Sequence, residues 1–171
     1  MIPIRDAIPA RSTPWVTYAM MALALAAAPG WVQAAANLWA LWLFGENVED
    51  RLGHGRFAAF CVVAGVLALM AQFGLHPATT MPPAGDAGAV AGVLGAHVAL
   101  YPTGRVLAAG FVPFRFEVVE MPAVAPMTFW LLLVLIGGTS VFAVLGGFVV
   151  GAAAARLVAR RDRMRVDWWG A

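Results

Sequence analysis

A polytopic, all-α membrane protein is the fold class this sequence predicts, and three observations predict it. Hydrophobic residues make up 62% of the chain and charged residues 12%, against about 45–50% and about 25% in soluble domains. The apolar residues come in long uncharged runs, and the mean hydropathy is +0.81. The charges collect in the gaps between those runs, and all eleven cationic side chains are arginines. Residues 1–171 therefore read as a single membrane domain, with a polar, proline-punctuated tail at 1–14 and a basic tail at 159–171.

From Trp15 to Phe44 there is no charged residue. A continuous helix of about 30 residues would be roughly 45 Å long, more than a hydrocarbon core of about 30 Å requires. Pro29 and Gly30 interrupt the run near its middle. It is either a hairpin of two short helices, Trp15 to Ala28 and Trp31 to Phe44, or one long kinked span. The loop Gly45 to Arg56 carries Glu46, Glu49, Asp50, Arg51 and Arg56, acids and bases that can tie helix ends together. Gly53 and Gly55 permit its turns. Phe57 to Phe73 is a plain apolar span, and Leu75 to Gly85 a proline-rich loop.

A helix starting near Asp86 then runs to about Tyr101. Gly88, Gly92 and Gly95 fall on one of its faces, which another helix can approach backbone to backbone. Gly147 and Gly151 form a second such face, so these two helices are expected to touch. Pro102 to Met121, with Arg105, Arg115, Glu117 and Glu120, reads as a connector lying at the membrane surface. Pro122 to Ile136 and Val141 to Val158 are the last spans, joined by the turn Gly137 to Ser140.

The arginines choose between the two N-terminal readings. With six crossings, every arginine lies on one side, which the positive-inside tendency makes cytoplasmic together with both termini. With five, Arg5 and Arg11 move to the opposite side. Six transmembrane helices are the expectation, and five, with one kinked first span, the alternative. Trp168 and Trp169 in the basic tail suit anchoring at the interface or contact with anionic lipid.

Two stretches, NLWALWLFGENVEDRLGHGRF and PPAGDAGAVAGVLGAHVALYP, resemble the rhomboid family of intramembrane serine proteases. The resemblance implies a six-helix bundle with both termini inside, in a bacterial inner membrane. It also implies a Gly-x-Ser-Gly turn whose serine is the nucleophile. Here those residues are Gly85, Asp86, Ala87 and Gly88, so the nucleophile's position holds Ala87. The family's general base is a His in an Ala-His-x-Gly-Gly-Phe motif on the last helix. Ala143, Val144, Leu145, Gly146, Gly147 and Phe148 put Val144 in its place. A long, partly embedded loop between the first two helices is reduced here to Pro29 and Gly30.

The family supports its oxyanion with a His followed four residues later by an Asn. Asn37 matches, and Gln33 stands in place of the His, so these amides and Asp86 mark a vestigial polar site. The plainer reading makes Gln33 and Asn37 interhelical polar contacts and Asp86 a helix cap favoured by free N–H groups and the dipole. Ser140 with His76 is a conceivable substitute pair, but no spacing supports it. His97 reads as a structural histidine, His54 as a surface one, and buried Cys61 as inert. No two histidines stand at metal-ligand spacing, and no metal, cofactor or nucleic-acid partner is expected.

A general base must accept a proton and covalent catalysis needs a nucleophile; Ala87 and Val144 provide neither. The expectation is a rhomboid-like pseudoprotease in contact with lipids and with transmembrane segments of client proteins. The alternatives are an active endopeptidase with another nucleophile, and a pore subunit. A pore calls for polar groups deep in several spans, where only Gln33, Asn37, Gln72 and His97 come close.

Overall fold

The computed structural model describes residues 2–6, 13–28, 30–75, 85–112 and 115–158. In chain order these form strand β1 (Ile2–Asp6), helices α1 (Trp15–Ala27) and α2 (Trp31–Ala40), a π-helical turn (Leu41–Gly45), α3 (Glu46–Leu52), α4 (His54–Leu75) and α5 (Gly85–Leu100). Strands β2 (Arg105–Val112) and β3 (Arg115–Pro122) follow, then α6 (Val124–Ile136) and α7 (Val141–Val158). The first apolar run is broken: Ala28 and Gly30 take extended backbone conformations between α1 and α2. The start of α1 lies against the π-helical turn that continues α2, where a side chain added at Gly45 would meet Thr17. The two helices thus fold back on each other.

At 22 residues, α4 is about 33 Å long. Among the described residues it is the one helix long and apolar enough to cross a membrane by itself. The other apolar helices are shorter. Trp15, Leu23, Leu25, Val62, Met70, Ile136 and Leu157 are all exposed, as helix surfaces facing lipid require.

The centre of the bundle is made of small residues. A Cβ built on Gly147 would land on the carbonyl oxygen of Gly88, one on Gly151 on that of Gly92, and one on Gly95 on that of Phe148. Helices α5 and α7 therefore run side by side in the same direction with their backbones in contact. At the same junction α4 approaches α5 through Ala64 and Ala68, which face Gly92 and Gly88, and meets α7 where Ala71 lies against Gly146. Any larger side chain at these positions forces the helices apart. Ala87 and Val144 are buried at this junction, 0% and 3% exposed.

Two expectations are corrected. The segment 105–122 is a β-hairpin, and β1 pairs antiparallel with β2 to complete a three-stranded sheet in the order β1-β2-β3. The chain is thus helical in its membrane bundle but not throughout. Two runs rich in valine and phenylalanine flanking Pro113 carry the strand signal, which the scattered charges obscured. Secondly, Gly45 to Arg56 is mostly helical. The chain turns at Gly53, whose φ of 83° suits glycine, while Gly55 lies within α4. His54 is exposed, as a surface residue is expected to be, and its Nδ1 meets Glu49.

Glu49 is fully buried and works across the fold. Its Oε1 accepts the Val16 N–H (3.0 Å), and its Oε2 accepts the Thr17 N–H (2.7 Å) and hydroxyl (2.6 Å). A carboxylate on α3 therefore caps the N-terminus of α1, where N–H groups have no partner within their own helix. Burial pushes its pKa up, but the hydrogen bonds from Thr17, His54 and Val16 outweigh it and hold the carboxyl below its ordinary value. His76, Pro29 and the tail 159–171, with its arginines and Trp168 and Trp169, lie outside the described residues.

Candidate functional site

Gln33 and Asn37 sit one turn apart on α2 and point to the same side. Both are buried, 2% and 0% exposed. Asp86, in the first turn of α5, reaches between them. Gln33 Nε2 donates to Asp86 Oδ2 at 3.0 Å and Asn37 Nδ2 donates to the same oxygen at 3.1 Å. The three polar residues singled out in the sequence thus form one cluster.

The amides are held from behind. Trp130 on α6 donates its indole N–H to Asn37 Oδ1 at 3.3 Å, and the Thr139 hydroxyl donates to Gln33 Oε1 at 2.7 Å. An indole can only donate, so Asn37 must present its oxygen to Trp130 and its NH2 to Asp86. A carboxylate can only accept, which sets Gln33 the same way round. Trp130 and Thr139 are both buried. The carboxylate therefore joins α2, α5, α6 and the turn before α7 through one continuous network.

This assigns Asp86 a different partner from the one expected of a cap. Its hydrogen bonds among the described residues run to α2 and not to the N–H groups of its own helix. Its place in the first turn of α5 still lets the dipole favour its charge. Neither Trp130 nor Thr139 stood out in the sequence: a tryptophan on an apolar helix and a threonine in a turn have common explanations. Only their position behind the amides distinguishes them.

The positions flanking this cluster are apolar. Ala87 follows Asp86 directly, and Val144 sits one turn into α7. Ser140 is buried before α7 and its carbonyl accepts the Val144 N–H at 3.2 Å. His97 is near the opposite end of α5, packed edge-on against Phe44 and tilted against Tyr101. His54 is at that same far end with Glu49. Neither described histidine is placed beside Ser140.

Between α2 and α6 the bundle opens into an apolar groove of about 740 Å³, lined among others by Trp31, Val32, Trp39, Pro126, Phe129 and Leu133. Trp39 and Phe129 meet edge to face across it, with ring centroids 5.6 Å apart. A family model for the rhomboid domain matches residues 15–161. The chain belongs to the rhomboid family. The match takes in every helix from α1 to α7, and it makes the chain an integral membrane protein. Comparison with curated proteins and with solved structures finds no match.

Proposed function

We propose that this rhomboid-family protein binds transmembrane segments of other proteins in the groove between α2 and α6 and does not cleave them. The observation that carries the reading is the apolar groove between α2 and α6. The groove is apolar and its rim residues Trp31 and Phe129 are exposed, so a helix can enter it directly from lipid. Its volume lies within the usual range for a binding cleft. Where the family places its nucleophile and base, this chain has Ala87 and Val144, a methyl and an isopropyl group that can neither attack a carbonyl nor take a proton. The Asp86 carboxylate also stands where negative charge would have to develop in an acyl transfer, which opposes that step.

In this reading α3, which carries Glu49, and the start of α4 at His54 face the cytoplasm of a bacterial cell together with the start of α1, with both termini on that side. Membrane lipid covers the remaining apolar surface. The arginine distribution supports this orientation.

The test has two arms. A photoreactive amino acid at Val32 or Phe129 should crosslink an apolar helical peptide in lipid vesicles, whereas one at Val62 on α4 should not. Equal labelling at all three sites removes the groove from the proposal. In parallel, a fluorogenic transmembrane substrate should remain intact with the wild-type protein. Robust cleavage sensitive to serine-directed inhibitors overturns the non-catalytic reading. The double substitution Ala87→Ser and Val144→His should recover little activity while Asp86 remains.

A further inference from the structure

The cluster around Asp86 has the construction of an anion site. Two amide NH2 groups converge on one oxygen; the Trp130 indole, which can only donate, keeps Asn37 from turning over, and the Thr139 hydroxyl donates to Gln33 from behind. All four supporting side chains are at least nine-tenths buried, and only Asp86 is partly exposed. Both amides are thus desolvated between α2, α6 and the turn before α7; Asn37 is oriented by the indole independently of the group it holds, and Gln33 turns its NH2 to the carboxylate while Thr139 takes its oxygen. Holding them costs nothing further when an acceptor arrives, because buried NH2 groups without one are the more costly state.

We infer that Gln33 and Asn37 form a built carboxylate-binding site within the bundle, which the chain fills with its own Asp86, and which accepts a free small carboxylate such as formate once the Asp86 side chain is removed. The wild-type site is closed to external anions, because its occupant is covalently attached and cannot be diluted away. The same attachment makes Asp86 a latch: it fastens α2, one wall of the groove, to the first turn of α5. This holds whether or not a client helix occupies the groove.

The experiment is anion rescue. Asp86→Ala in detergent should melt about 5 °C or more below wild type. Formate should restore at least half of that loss, and chloride at equal ionic strength should not. Adding Asn37→Leu to Asp86→Ala should abolish the formate effect, and formate should leave wild type unchanged. Formate that fails to raise Asp86→Ala, or that raises wild type and both variants alike, overturns the inference.

A second variant avoids dependence on a cavity. Asp86→Asn keeps the shape and removes the charge, so the Gln33 and Asn37 NH2 protons should move upfield. The wild-type chain has two glutamines and two asparagines and the substitution adds one further NH2 group, at position 86, so Gln72 and Asn47 serve as internal references when 15N spectra of the two proteins are compared. If the Gln33 and Asn37 resonances move no more than those references, the carboxylate is not their acceptor and the inference fails.

Discussion

Replacing Glu49 tests how the fold holds its first helix. In the native protein one buried carboxylate takes three hydrogen bonds from the start of α1 and one from His54. Glu49→Gln leaves one oxygen and turns an NH2 toward donors. If the oxygen stays with Val16 and His54, the Thr17 hydroxyl can rotate and accept from the new NH2, but the Thr17 N–H, 2.7 Å from Oε2, loses its acceptor. A hydrogen bond to a charged group contributes about 1.5–3 kcal/mol, and a stranded buried donor costs about 1–3. The two overlap, so a loss of about 2–3 kcal/mol is expected for Gln. Glu49→Ala, which strands every donor, should cost about 3–5 kcal/mol. Unfolding in mixed micelles by a denaturing detergent measures both. The carboxyl is held below its ordinary value of 4.5 in the folded protein. Its contribution is therefore complete above that value and lost as pH falls below it through the folded value. Glu49→Gln should flatten the acid limb of the stability curve. A Gln variant within about 0.5 kcal/mol of wild type, or one with the wild-type acid limb, would refute the capping role.

Gly147→Ala and Gly151→Ala should each lose about 1–3 kcal/mol by overpacking, because their Cβ atoms meet the Gly88 and Gly92 carbonyls, whereas Gly74→Ala, with open space around it, should melt like wild type. Trp130→Phe removes the donor behind Asn37 and should cost about 1 kcal/mol in the same detergent assay; no loss would mean the indole does not support the amide. Reporter fusions at residues 54 and 103 should give a cytoplasmic signal and one at Gly138 the opposite signal. Identical signals at 54 and 138 would break the alternating arrangement.

The membrane bundle was legible because its signals are local. Uncharged runs mark helices, Pro29 and Gly30 break the first of them, and arginines mark one set of ends. The cluster of Gln33, Asn37 and Asp86 was visible as polar residues in apolar surroundings, where burial demands a partner. The sequence could not say that the partner of both amides is one oxygen, because α2 and α5 are about 50 residues apart and only their packing sets that distance.

By itself, then, the sequence determined that this chain lives in a membrane and which segments are apolar helices. These depend on composition, periodicity and motif, which survive without a third dimension. The tertiary structure alone decided the remainder. It pairs Gly147 with Gly88 and Gly151 with Gly92, sends Glu49 to cap a helix 33 residues before it, and places Trp130 and Thr139 behind two amides 93 and 106 residues away. It also joins Ile2–Asp6 to the 105–122 hairpin as a third strand. Each of these is a long-range match between groups that satisfy one another, and buried hydrogen-bonding groups find their partners in space rather than along the chain.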